Sequence, residues 1–123
     1  GKLMYHFQEP ERGDVVVFKT GDMTRPFIKR AIGLPGETVE IYDNAVYIDG
    51  ERLEEPYLYQ PMYGEYGPVT VPEGHLFVLG DNRNNSEDSR YESVGMIPIK
   101  DIRGRVRLRL WPLDHIQWIS NPF

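Results

Sequence analysis

The stretch "FIKRAIGLPGETVEIYDNAVYI", residues 27 to 48, consists of three short apolar segments separated by two turn signals. Residues 27 to 32 lead into Leu-Pro-Gly at 34 to 36, which suits a type II turn because proline fixes the first central torsion and glycine tolerates the positive φ of the second. Alternating apolar residues then continue on both sides of Asp-Asn at 43 to 44. The pattern predicts a strand followed by a β-hairpin.

Further short apolar runs lie on both sides of this stretch. Residues 14 to 20 precede it and two runs within residues 69 to 79 follow it, each bounded by glycine or proline. No amphipathic helix of ten residues can be drawn, and only short helical turns at 86 to 91 or 98 to 102 fit the pattern. We therefore predict an all-β fold of mainly antiparallel sheets, as one domain over residues 1 to 123.

Two segments have a less regular pattern. Residues 54 to 68 hold three prolines and four tyrosines without a steady period, and we expect an ordered irregular loop there. In "RVRLRL", residues 105 to 110, apolar side chains alternate with arginines. We expect Val106, Leu108 and Leu110 to face the core, and the arginines to face solvent and pair with some of the 19 acidic residues.

The composition excludes several classes of function. A formal net charge of -5 and a pI near 5.2 argue against a nucleic-acid surface, which needs a concentrated positive patch. The chain has no cysteine, and its histidines His6, His75 and His115 are dispersed, so neither a metal nor a cofactor is expected. No apolar run reaches about 18 residues, and we expect the chain to be soluble.

Lys29 occupies an unusual position in the first predicted strand. Side chains alternate between the faces of a strand, so Lys29 shares its face with the apolar Phe27 and Ala31. A lysine there either extends its charge into water or becomes partly desolvated, which lowers its pKa and makes the neutral amine accessible. Taken alone, these residues favour a surface lysine at a strand edge.

The polar stretch "GDNRNNSEDSR", residues 80 to 90, directly follows the predicted strand "HLFVL". It supplies the hydroxyls and carboxylates that a buried amine needs as partners, on Ser86, Ser89, Asp81 and Asp88. Bidentate pairs can hold such a segment rigid, Asp88 with Arg90 and Asp81 with Arg83 or Arg30. A cluster of this density is either a turn network or a functional site.

Four motifs together resemble the ordered boxes of bacterial type I signal peptidases. They are "RGDVVVF" at 12 to 18, "IKRAIGLPGE" at 28 to 37, "GDNRNNSEDSR" at 80 to 90 and "GMIP" at 95 to 98. The resemblance implies a signal-peptidase-like β fold and a serine-lysine protease, in which a serine hydroxyl attacks the peptide carbonyl and an unprotonated lysine takes its proton.

The resemblance also implies roles for individual residues. Lys29 corresponds to the general base, and Ser86 to the hydroxyl that orients the lysine amine. The implied supporting ion pairs are Asp88 with Arg90 and Asp81 with Arg30. The polar stretch would then be the shell of side chains that orients Lys29.

The family's nucleophilic serine lies in a "Ser-Met-x-Pro" motif that this sequence lacks. The four serines are Ser86, Ser89, Ser93 and Ser120, and none has that context. We therefore expect the nucleophile and a membrane anchor to lie upstream of Gly1, and the chain alone to be inactive as a peptidase.

The implied substrates are signal peptides of exported preproteins, with small residues one and three positions before the cut. Such a peptide would bind as an added strand, and Phe27 and Ile28 beside the lysine are expected to line its pockets. The implied location is the outer face of the bacterial cytoplasmic membrane, at the membrane surface.

Two alternatives compete with this interpretation. The self-cleaving repressor family shares serine-lysine chemistry but lacks the pattern seen in residues 80 to 90. A non-catalytic β module that binds a peptide or a partner protein is the second alternative.

Overall fold

A computed structural model describes residues 9–58 and 60–108 of the 123-residue chain. Within these residues the chain forms nine β-strands and two single-turn 3₁₀ helices, at Arg83–Asn85 and Ile99–Asp101, without an α-helix. The strands are β1 Asp14–Phe18, β2 Phe27–Gly33, β3 Thr38–Tyr42, β4 Ala45–Ile48, β5 Glu51–Arg52, β6 Tyr66–Thr70, β7 His75–Leu79, β8 Ile97–Pro98 and β9 Ile102–Arg107. The prediction of an all-β fold is confirmed.

The strands form two antiparallel sheets. The first has the order β8-β7-β2-β1-β9, and the second has the order β5-β4-β3-β6. Strand β2 lies at the centre of the first sheet, with Arg30 opposite Val15 of β1 on one side and opposite Leu79 of β7 on the other. Because β2 continues through a short turn into β3, it also connects the two sheets.

Both predicted turns around β3 have the expected backbone geometry. Gly36 has a φ of 85°, and the Glu37 N–H donates to the Leu34 carbonyl at 3.0 Å, as in a type II turn. Asp43 and Asn44 have φ values of 50° and 63°, the left-handed pair that joins strands in a type I′ hairpin. These local signals therefore set the path of the chain from β2 to β4.

Two hydrophobic cores lie on opposite faces of β2. Alternation along the strand places Ala31 in one core and Ile32 in the other. The core on the side of the second sheet contains Ile32, Val39, Ile41, Val46, Ile48, Met62, Val71, Phe77 and Leu79. The other contains Val16, Phe18, Ala31, Leu76, Val78, Val94 and Ile97. The second half of β2 is therefore buried on both faces, whereas Phe27 to Lys29 at its start are half-buried.

The loop predicted over residues 54 to 68 ends earlier than expected. Residues 66 to 70 form β6, which pairs with β3 and places Tyr66 opposite Ile41. The Tyr66 ring also packs at 5.6 Å from the Phe77 ring. Pairing and aromatic packing thus give strand structure to a segment whose proline and glycine content predicted a loop.

Val106 was expected to face the core, and this prediction is wrong, because the residue is 54% exposed. Among the described strands, β9 lies at the edge of its sheet and pairs with β1 alone, which leaves Val106 open to solvent. Arg105 is only half-exposed and pairs with the buried Asp14 at 3.1 Å, so this arginine points toward an acid of the neighbouring strand. Leu108 is half-buried, and Leu110 lies outside the described residues.

The two short helical turns were partly predicted. The turn expected at 86 to 91 is wrong, because the helical turn lies at Arg83–Asn85 and ends before Ser86. The turn at Ile99–Asp101 falls within the other predicted range, 98 to 102. Over the described part of the chain, no helix is long and apolar enough to cross a membrane.

Gly33→Ala should destabilise the fold. An added Cβ at Gly33 would lie 2.6 Å from Val39 Cγ2 and 3.0 Å from Phe77 Cβ, so the core between the sheets would be overpacked. We expect a loss of about 1–3 kcal/mol in the free energy of unfolding, measured by urea denaturation. Gly104→Ala in β9 is the control, since nothing lies within 4 Å of its added Cβ. Equal midpoints for the two variants would contradict the packing argument.

Candidate active site

Lys29 and Ser86 meet where β2 and β7 lie side by side. The Lys29 Nζ donates a hydrogen bond to the Ser86 Oγ at 3.0 Å, across 57 positions of sequence. The sheet register explains this contact: Leu79 lies opposite Arg30, so the chain leaving β7 passes beside Lys29. The predicted contact between the lysine and the loop hydroxyl is therefore present in the structure.

The surroundings of Lys29 change its titration. Burial lowers the pKa of the Lys29 amine from its ordinary value of 10.5, and the carboxylates of Asp88 and Glu87 oppose this effect only in part. The Phe27 ring lies 5.4 Å from the Nζ and supplies part of the apolar surroundings. Lys29 is consequently a more accessible proton acceptor than a solvated lysine.

Gly80 provides the space in which Ser86 meets Lys29. It is buried, and a Cβ at this position would lie 2.6 Å from the Ser86 Cβ and still closer to the Ser86 Oγ. Any residue with a Cβ at this position would displace the Ser86 hydroxyl from the Lys29 amine. This role was not predicted from the sequence, although Gly80 lies between a core strand and a polar loop.

Asp88 and Arg90 hold the far side of the polar segment. Arg90 Nε and Nη2 donate to the two Asp88 carboxylate oxygens, both at 2.8 Å. The buried Asp88 also accepts from the Gly80 N–H at 3.0 Å, which ties the segment back to the end of β7. The predicted bidentate pair is present and fixes both ends of the turn that carries Ser86.

Asp81 and Arg30 form a second, fully buried pair. Arg30 Nε and Nη2 lie 2.9 and 2.6 Å from the Asp81 carboxylate oxygens. The Arg30 guanidinium also donates to the backbone carbonyls of Gly13, at 2.9 Å, and Leu108. The alternative pairing of Asp81 with Arg83 is wrong, because Arg83 instead pairs with Glu55 at 2.5 Å.

The two serines of the polar segment have different environments. Ser89 Oγ donates to the Gly95 carbonyl at 2.7 Å and accepts from the Val78 N–H at 2.9 Å, so its hydroxyl links backbone segments. Of the two hydroxyls that the sequence offered to the lysine, the structure brings Ser86 to it.

Phe27 and Ile28 flank Lys29 along β2. Both are half-buried, and their side chains lie on opposite faces of the strand. Phe27 packs against the Phe18 ring at 6.1 Å, and Ile28 lies opposite Val17 of β1. Among the residues that the structure describes, no group of histidine and acidic side chains could hold a metal ion.

A partly desolvated lysine held against a serine hydroxyl is the arrangement expected of an enzyme in which lysine serves as the general base. Comparison with known sequences identifies the particular family. The family described as "Signal peptidase, peptidase S26" matches residues 1–111, and the chain belongs to this family. The predicted resemblance to type I signal peptidases is thereby confirmed, and the repressor family is no longer a candidate.

Individual relatives agree with this assignment. The chain is 44% identical to the probable signal peptidase I-2 of Synechocystis sp. (strain PCC 6803), covering 98% of this chain and 57% of that protein. It is 42% identical to the signal peptidase I of Leptolyngbya laminosa, with 98% and 63% covered. The chain thus spans about three fifths of these relatives.

A solved structure shows the same fold. The crystal structure of a signal peptidase I from Enterococcus faecalis V583 superposes with a TM-score of 0.71 at 35% sequence identity. The superposition covers 82% of this chain and 99% of the other. The two-sheet architecture is therefore that of a solved signal peptidase I.

Replacing Lys29 by methionine should change how stability depends on pH. Because the pKa of Lys29 is lowered in the folded chain, the unfolded chain binds more protons between that lowered pKa and 10.5, and the stability of the parent rises with pH across this window. Lys29→Met lacks this rise. The rise in the free energy of unfolding is about 1.4 kcal/mol for each unit by which the pKa is lowered, and solvent screening at a half-buried site reduces it.

The free energy of unfolding of the parent should therefore increase relative to that of Lys29→Met as pH increases toward 10.5. Urea unfolding of both proteins at several pH values measures it. A difference that is independent of pH would show that the amine is fully solvated.

Gly80→Ala should expel Ser86 from its place beside Lys29. We expect a loss of about 1–3 kcal/mol from overpacking, measured by urea unfolding. The matched test is a double-mutant cycle with Ser86→Gly, which removes the atoms that the new methyl group meets. The cost of Gly80→Ala should largely vanish in the Ser86→Gly background, and purely additive costs would refute this contact.

Proposed function

We propose that this chain is the lysine-bearing part of a signal peptidase I that cleaves signal peptides from exported preproteins. The observation that carries the proposal is the half-buried Lys29 amine, with a lowered pKa, held 3.0 Å from the Ser86 hydroxyl. Family membership and the names of the relatives support the same activity.

In this mechanism Lys29 acts as the general base. The neutral amine takes the proton of a serine hydroxyl as that oxygen attacks the scissile carbonyl, and the resulting ammonium gives the proton to the leaving amine. A base of this kind works best when its pKa lies near the operating pH, which is the direction in which burial moves Lys29. Ser86 holds the Nζ in place through the exchange.

The nucleophilic serine of this mechanism would come from a segment that the 123 residues do not include. None of the four serines lies in a Ser-Met-x-Pro motif. Ser86 contacts the base, Ser89 bridges backbone groups, and Ser93 donates to Glu87 at 2.7 Å. Ser120 lies outside the described residues. We therefore propose that this chain alone cleaves no peptide.

The substrate would lie along the start of β2. Phe27 and Ile28 flank the base and would offer half-buried apolar surface to the small side chains of a signal peptide bound as an added strand. The enzyme would act at the surface of the cytoplasmic membrane, on its outer face, where exported preproteins emerge.

The test uses the chain extended at its beginning by the parent protein's own segment with Ser-Met-x-Pro, and a peptide substrate with small residues before the cut. We expect Lys29→Ala to lower kcat about 10²–10⁴-fold. Ser86→Ala should also lower kcat strongly, with little change in the urea midpoint, because the amine loses its orienting partner.

Ser93→Ala is the matched control. Ser93 is exposed, and its hydroxyl donates to the carboxylate of Glu87, which is also exposed. It should cleave as the parent does. Full activity in Lys29→Ala, or no cleavage by the extended parent under any condition, would favour the non-catalytic peptide-binding module.

A further inference from the structure

The helical turn at Arg83–Asn85 is held by the irregular segment that precedes β6. Arg83 Nη1 and Nη2 donate to the two carboxylate oxygens of Glu55 at 2.9 and 2.5 Å. Both side chains are almost completely buried, with 1% and 6% exposed. The mechanism above makes no use of this ion pair.

Asn84 provides a second attachment of the same turn. Its side-chain amide donates to the Pro61 carbonyl at 2.8 Å and accepts from the Tyr63 N–H at 3.0 Å. The two attachments lie on consecutive residues and reach Glu55 at one point and Pro61 with Tyr63 at the other. Residues 55 to 58 and 60 to 63, here called the brace, therefore hold the turn at two points.

The turn held by the brace directly precedes Ser86 and contacts Gly80. Arg83 Nε donates to the Gly80 carbonyl at 2.8 Å, and the Arg83 carbonyl accepts from Arg90 Nη2 at 2.7 Å. Arg83 thus contacts the glycine that makes room for Ser86 and the arginine that clamps Asp88. A shift of Arg83 would be passed to both sides of the serine.

Tyr57 links the Glu55–Arg83 pair to the Arg30–Asp81 pair. The Tyr57 hydroxyl donates to Glu55 Oε2 at 2.6 Å, and burial raises the pKa of Tyr57, so the phenol keeps the proton that it donates. The Tyr57 ring in turn lies 3.8 Å from the Arg30 guanidinium carbon. Removal of the Glu55 charge would leave Arg83 as a buried cation without its bidentate partner, an arrangement that favours displacement of the turn.

We propose that Glu55 is a positioning residue: through Arg83, and together with the grip on Asn84, the brace sets the place of Ser86 against Lys29. The inference rests on the proposed function of Lys29 as the base. It assigns a role in the site to a segment whose sequence predicted only an irregular loop.

The test compares Glu55→Gln with Glu54→Gln, the same substitution at an exposed neighbour. Two quantities are measured on the chain: amide hydrogen exchange along its length, and the pH midpoint of Lys29 acetylation, with the exposed Lys100 as internal reference for the reagent. We expect Glu55→Gln to speed exchange at least tenfold at residues 83 to 88 and to move the Lys29 midpoint up toward 10.5, as water reaches the amine. Glu54→Gln should match the parent in both.

Asn84→Ala is the second variant, because it loosens the turn at an exposed position without leaving a buried charge. It should change both readouts in the same direction, and it decides the question if Glu55→Gln does not fold. A lower urea midpoint with unchanged exchange at residues 83 to 88 and an unchanged Lys29 midpoint would show that the brace contributes stability only, and would overturn the proposal.

Failure of the two proposals can be told apart. A parent chain whose Lys29 titrates at 10.5 would refute the role of Lys29 as base. Hydrogen exchange at residues 83 to 88 would still decide whether the brace holds the turn in place.

Discussion

The hydrogen bond between the Lys29 amine and the Ser86 hydroxyl is the interaction on which the site depends. An amine taken out of water loses its solvent partners, and it stays where it is only if a protein group replaces them. Burial lowers the pKa of Lys29, and the hydroxyl at 3.0 Å gives the amine a fixed direction. Either contribution alone would leave a poor base, because an amine without a partner has no fixed direction and a solvated one stays protonated.

The fold arranges this contact through strand register. Strand β2 lies between two cores, and its pairing with β7 brings the start of the polar segment beside Lys29. The pairs Arg30–Asp81 and Arg90–Asp88 then hold the segment from both ends. Because desolvation offsets most of the attraction within buried ion pairs, we expect these pairs to contribute a fixed geometry more than stability.

The sequence predicted those parts of the structure that depend on near neighbours. The turns at 34–36 and 43–44 and the faces of β2 follow from a few adjacent residues, and they were predicted correctly. The role of Gly80 and the Glu55–Arg83 pair were missed, because each depends on which distant segments lie together. Val106 was assigned to the core because alternation does not show whether a strand lies at a sheet edge.

The described surroundings of Lys29 come from three segments of this chain. Phe27 belongs to its own strand, Ser86 and Asp88 belong to the polar segment, and Glu55 of the brace contacts Arg83 of that segment. In the proposed mechanism these contacts hold the base in position, and the serine brings the proton and the attacking oxygen. A preorganised base of this kind has no reorganisation to complete during the reaction, which is the condition under which a fixed polar environment contributes most to catalysis.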